Sequence, residues 1–138
     1  MSRAYRALAR LAEQRADAAA RLMADATKAR DAIIAKQMVL AARIEEEGSA
    51  VSGPEDAAAF TAFLTGARRQ QTTLDKALTA AEEQLADIQA KLREAYAEQK
   101  RFETLVASEA AKARRAASAV EAAELSEAAL LSALRKDP

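Results

Sequence analysis

The strongest regularity in the chain is an apolar repeat in its second half. Leu74, Ala81, Ile88, Ala95 and Phe102 recur at every seventh position, and so do Leu78, Leu85, Leu92, Gln99, Val106, Ala113 and Val120. These are the two alternating seam positions of a coiled coil, sustained beyond the roughly three to four heptads that define one. A seven-residue repeat on an α-helix implies a left-handed supercoil. Beyond Val120 the repeat drifts through Leu125, Leu130, Leu131 and Leu134.

The first half carries a weaker version of the same pattern. Residues 2 to about 47 predict one helix, with Leu8, Leu11, Leu22, Ala26, Ala29, Ile33, Leu40 and Ile44 spaced mostly three, four or seven apart. Arg15 and Gln37 stand where the stripe calls for an apolar residue, and polar seam residues set register at some cost in stability. At roughly 1.5 Å per residue such a helix runs to about 70 Å and needs a partner.

Between the halves lies Glu45-Glu46-Glu47-Gly48-Ser49-Ala50-Val51-Ser52-Gly53-Pro54. Glycine disfavours the helix, Pro54 lacks an amide donor, and the serines compete for local hydrogen bonds. Glu55 and Asp56, just after the proline, suit the positive end of a new helix. Gly66 offers a second, weaker break, so the connector occupies 48–54 or continues to 66. The expected fold is all-α: one elongated domain over residues 1–138, an antiparallel two-helix coiled-coil hairpin with helix one at about 2–47, a connector at about 48–66 and a longer helix two at about 67–135. Folding about the shorter break sets Ser2 beside a residue near 100, and the longer connector moves that partner to about 112. Either way, the last two or three dozen residues have no intramolecular partner, which predicts docking into another protein or a second copy.

Composition sharpens this reading. Of the 138 residues, 51% are hydrophobic, but most of these are alanine and only 4% of the chain is aromatic, which favours long thin helices over a layered core. Histidine and cysteine are both absent, removing imidazole bases, thiol nucleophiles, disulfides and the commonest transition-metal ligands. No catalytic constellation or phosphate-binding glycine loop is present, so a non-enzymatic protein without cofactor or metal is expected. The first residues lack the apolar core of a secretory signal and no window has the apolar length of a membrane span, predicting a cytosolic protein. The 21 basic and 21 acidic residues interleave, against a nucleic-acid-binding rod.

Three groups of residues stand out. Phe60, Phe63 and Leu64 continue along one helical face through Ala67, Gln70 and Leu74; they either cap the hairpin under the connector or form a partner-binding face. Arg3, Arg6 and Arg10, with Lys112, Arg114 and Arg115, collect at the end carrying both termini in a hairpin, where they suit carboxylates of a partner or form a solvated face. Glu45, Glu46 and Glu47 point in different directions on a helix and read as a solvated helix end.

The segment Phe60-Thr-Ala-Phe63-Leu64, the leucine-spaced repeat, Glu98-Gln99-Lys100-Arg101-Phe102-Glu103-Thr104-Leu105, and Glu121-Ala-Ala-Glu124-Leu-Ser-Glu127-Ala-Ala-Leu130 with Arg135 resemble the FliJ/YscO family, the stalk proteins of flagellar and virulence type III secretion. The similarity covers nearly the whole length. It implies an antiparallel coiled coil like the stalk of rotary ATPases. The end carrying both termini would insert into the hexameric export ATPase: Arg3, Arg6, Arg10, Lys112, Arg114 and Arg115. An apolar face early in helix two would bind the cytoplasmic domain of the export-gate membrane protein: Phe63, Ala67, Gln70 and Leu74. It further implies contact with export chaperones and recruitment to the cytoplasmic face of the inner membrane. Two departures are visible: Gln70 is polar where the family face is apolar, and Ser126-Glu127 stands where the family often has Asp-Glu. The alternative function is a self-associating structural coiled-coil adaptor, separated from a stalk by sedimentation; a helical arm of a nucleic-acid enzyme is a third reading, disfavoured by the neutral charge balance.

Overall fold

In the computed structural model, which describes residues 2–136, the chain forms two helices and no strand among the described residues: α1, Ser2–Ser49, and α2, Pro54–Lys136. They pack against each other as an antiparallel hairpin. Two compact units are distinguished, a turn unit, Asp17–Glu94, and a terminal unit, Met1–Ala16 with Ala95–Pro138.

In the turn unit the connector is residues 50–53, shorter than the 48–66 taken as its outer limits. Gly66 lies inside α2, so the break expected there does not form. One glycine costs a helix about 1 kcal/mol, which the surrounding packed turns absorb. The helix start is fixed locally. The Gly53 carbonyl accepts from the Ala57 amide at 3.0 Å, Pro54 takes the first helical position, and Asp56 Oδ2 receives the Ser52 hydroxyl at 2.7 Å and the Ser52 amide at 3.3 Å. No residue among those described has a positive φ. Gly48 therefore does not serve as a left-handed cap. Its bare backbone instead admits the Phe60 ring, since a Cβ there would sit 3.3 Å from Phe60 Cζ.

The rest of the turn unit is zipped by Met23, Ala26, Ile33, Leu40 and Ile44 of α1 against Ala67, Leu74, Leu78, Ala81, Leu85, Ile88 and Leu92 of α2, all buried or half-buried. Leu40, Ala67, Leu85 and Ile88 are its buried apolar residues. Polar groups occupy the seam too. Arg30 is half-buried at a seam position and turns its guanidinium onto Asp31 at 3.0 Å, and Gln37 donates across the hairpin to Asp75 Oδ1 at 2.8 Å. That bond fixes the register expected of a polar seam residue.

The covered residues of α1 differ from the stripe read from the sequence. The seam runs through Tyr5, Ala9, Ala12 and Ala16 in the terminal unit, then Ala19, Met23, Ala26, Arg30, Ile33, Gln37, Leu40 and Ile44 in the turn unit, a strict alternation of four and three, with Ala20, Thr27, Ile34 and Gly48 half-buried beside it. Leu8, Leu11, Leu22 and Ala29 face outward instead, Leu22 at 55% exposure, while Ala12 and Ala16 are closed to solvent at 1% and 0%. Arg15 is exposed, off the seam. The physical reason is complementarity of size. The register marked by Arg15 Nη1 and Glu98 Oε1, 3.4 Å apart, brings Ala9 to the level between Phe102 and Val106 and Ala12 to that between Gln99 and Phe102. In the terminal unit small side chains on α1 admit larger ones from α2 and let the axes approach, which leaves Leu8 and Leu11 outside the seam, whereas in the turn unit Leu40 is itself a buried seam residue.

In the terminal unit the α2 seam continues through Ala95, Gln99, Phe102 and Val106, half-buried, and protection ends at Ala111. Ala113 and Val120, which carry on the heptad, are exposed, as is every residue from Lys112 to Lys136. The expected unpartnered segment is present and begins at Lys112. Tyr5 on α1 and Glu109 and Ala111 on α2 are the last covered residues, and the Arg15–Glu98 pair sets Ser2 beside a residue near 111, close to the longer of the two registers expected. At the turn Pro54–Ala59 is exposed, and the covered seam of α2 starts only after it.

Candidate binding surfaces

The Phe63, Ala67, Gln70, Leu74 group does not form one exposed apolar face. Ala67 is 4% exposed and Leu74 half-buried, both in the α1–α2 seam. Phe63 is half-buried beneath the Arg43 guanidinium, whose carbon lies 5.1 Å from the ring centroid. Phe60, 6.3 Å from Phe63 between centroids, lies against Gly48. The two phenylalanines thus clasp the end of α1, the capping arrangement weighed above. Gln70 alone is fully exposed, beside a shallow groove with Val39, Lys36 and Arg43. A partner reaching this region meets Gln70, the outer edge of Phe63 and exposed Val39, while Ala67 and Leu74 are already used by the fold.

Arg3, Arg6, Arg10, Lys112, Arg114 and Arg115 all lie in the terminal unit and are exposed. They do not form a single patch. Arg6 and Arg10 rim an apolar groove floored by Ala9, Val106, Ala107 and Ala110, with Glu103 on the other side. Arg3 shares their helical face by its spacing of three and seven, and Arg114 shares that of Ala107 and Ala110 by its spacing of seven and four. Lys112 falls on the opposite flank, one heptad beyond Leu105, and Arg115 is three residues further on. None of the six forms an ion pair among the described residues.

That opposite flank carries what the sequence reading missed. Leu8 and Leu105 each lie one heptad from a member of the Arg15–Glu98 pair, and Leu11 lies one turn from Arg15, so the three leucines share a side. Each is a little over 40% exposed. The signal was available in the heptad itself: once Tyr5 and Ala9 are taken as seam, Leu8 and Leu11 fall outside it.

Glu45, Glu46 and Glu47 are exposed in the last turns of α1; the carbonyls of Glu45 and Glu46 accept from the Ser49 hydroxyl and the Ala50 amide. Among the described residues no group of three or more acidic side chains is placed to hold a metal ion, and no helix is long and apolar enough to cross a membrane. Compared with protein-family profiles, curated proteins and solved structures, the chain finds no match in any of the three.

Proposed function

We propose that the protein is a non-enzymatic stalk of a type III export apparatus, joining a hexameric export ATPase to the cytoplasmic domain of a membrane export gate, with export chaperones as further partners and recruitment to the cytoplasmic face of the inner membrane. The observation that carries the reading is the exposed helix from Lys112 to Lys136 in the unit that also holds the start of α1. A lone alanine-rich helix of that length is marginal in water, and its apolar positions gain most when a surrounding protein covers them. Arg3, Arg6, Arg10 and Arg114 on one flank and Lys112 and Arg115 on the other offer guanidinium and ammonium groups in several directions, as contact with a ring of subunits requires. ATP hydrolysis belongs to the partner. The stalk acts by binding, favouring some subunit conformations over others by its differential contacts with them. The gate contact rests on Phe63 and Gln70, the reachable members of its group.

The test is the turnover and assembly state of a purified cognate export ATPase with and without the protein. Faster turnover or more hexamer supports the stalk; no change with a verified cognate enzyme overturns it. The adaptor reading draws on the same exposed helix and predicts a tight dimer that leaves the ATPase unaffected.

A further inference from the structure

Although the chain as a whole is neutral with interleaved signs, its terminal unit contains two segments of opposite, unmixed charge. Residues 2–12 carry Arg3, Arg6 and Arg10 and no acid, whereas residues 116–134 carry Glu121, Glu124 and Glu127 and no base. Within one molecule the two cannot meet. Alpha1 begins beside residues near 111, and α2 continues past that level in the direction away from the turn, so the glutamates lie beyond the reach of the arginines.

The geometry points to a reciprocal dimer in which the exposed 112–136 helix of each copy lies in the Arg6–Arg10–Ala107–Ala110 groove of the other. Three observations select a second copy as the occupant. The first is charge. Arg3, Arg6 and Arg10 share a face at spacings of three and four, and Glu121 and Glu124 share a face at a spacing of three with Glu127 at its edge. Laid parallel, the two rows align turn for turn.

The second is closure. A partner α2 running parallel to α1 is antiparallel to its own counterpart, as a two-fold axis requires, and the alignment of Glu124 with Arg6 sets that axis near Arg114 and Arg115. Both grooves are then filled at once and no edge is left to propagate.

The third is length. From this axis the 112–136 segment spans the covered part of the terminal unit, from Glu109 back towards Ala95. Two strips of about 36 Å close on the order of 1,400 Å² of surface, within the range of specific interfaces. The face presented to the groove is Ala117, Glu121, Glu124, Ala128 and Leu131, small enough at its centre to approach an alanine floor. One term opposes the arrangement: the axis brings Arg114 of the two copies together.

This dimer goes beyond the stalk reading and stands without it, because it is read by sedimentation of the protein alone. It shares residues with the ATPase-binding end, so the two associations exclude each other. The test is sedimentation equilibrium of the full chain across the micromolar range, at low and high salt. A dimer is expected that weakens with salt, as the Debye length shrinks from about 30 Å at 0.01 M to about 3 Å at 1 M. Replacing Arg3, Arg6 and Arg10 by Glu, or Glu121 and Glu124 by Arg, is expected to weaken it by about a hundredfold or more, since like charges then face each other. Arg114→Ala is expected to tighten it.

The decisive arm combines both sets of changes differently. A chain with only acids at the five positions, mixed with one carrying only arginines there, restores a one-to-one heterodimer while each alone stays monomeric, with helicity checked by circular dichroism. A wild-type chain that is monomeric throughout at low salt overturns the proposal, as does a dimer indifferent to salt and to both charge reversals, or a mixture that fails to form the heterodimer.

Discussion

Gly48 and Gly66 both lie within helices, and replacing each by alanine separates two jobs a glycine can do. At Gly66 a new Cβ meets nothing within 4 Å and the site is exposed, so the gain is the helix preference of alanine alone, about 1 kcal/mol. That corresponds to roughly 3–6 °C in Tm for a domain of this size. At Gly48 the same preference is opposed by Phe60, whose Cζ would lie 3.3 Å from the new methyl. Pushing the ring aside disturbs its contact with Phe63, and overpacking of this kind costs about 1–3 kcal/mol in closed cores. The clasp is half open, so the cost belongs at the low end and Gly48→Ala should come out near neutral. Urea and thermal unfolding followed by circular dichroism read both changes. In a Phe60→Ala background the obstacle is gone, and Gly48→Ala should then recover most of the gain seen for Gly66→Ala. Equal stabilisation by the two substitutions in the wild-type chain, or no recovery in the Phe60→Ala background, would refute the steric account of Gly48.

Ala16→Leu, at the most enclosed position of the seam, should destabilise by about 1–3 kcal/mol, whereas Leu22→Ala on the open side should change stability by less than about 0.5 kcal/mol; denaturant midpoints compare them directly. Arg43→Ala removes the cation over Phe63 and should cost about 0.5–1 kcal/mol, with Arg43→Lys recovering part of it in the same assay. Leu74→Ala should lower Tm while Gln70→Ala leaves it unchanged, so of these two Gln70 is the clean probe of the proposed gate contact in pull-down measurements. Truncation after Ala111, measured at dilution where the chain is monomeric, should lower total helicity yet leave the midpoint of the hairpin within about 1 °C, because no described residue removed is covered within the molecule.

The α2 seam was legible because its bulk lies on the heptad: Leu74, Leu78, Leu85, Ile88, Leu92 and Phe102 are the large residues and the covered ones. The α1 seam was not, since alanine occurs at so many positions that its seam alanines carry no contrast, and Leu8, Leu11 and Leu22 drew the stripe to the wrong side. Only the partner's size pattern resolves it. The turn was located by Pro54 and the serines, but Gly66 read as a break because a lone glycine looks the same whether or not packed turns flank it. The phenylalanine group was recognisable as a cluster. Its division between seam and surface was not, because Ala67 and Leu74 recur with the heptad as well as with the face. The basic residues were correctly gathered into one unit, and their separation onto two flanks follows from helical phase alone.

Alpha2 is one continuous helix with two lifetimes. From Phe60 to Ala111 its seam-side amides are protected by the hairpin, whereas from Lys112 onward the helix of a single molecule has no cover and opens on the sub-microsecond to microsecond scale of an isolated peptide. Any molecule that grips this stretch must first supply the entropy of holding it straight, which lowers affinity and quickens release. A partner that needs to let go and rebind many times is better served by such an end than by a rigid one.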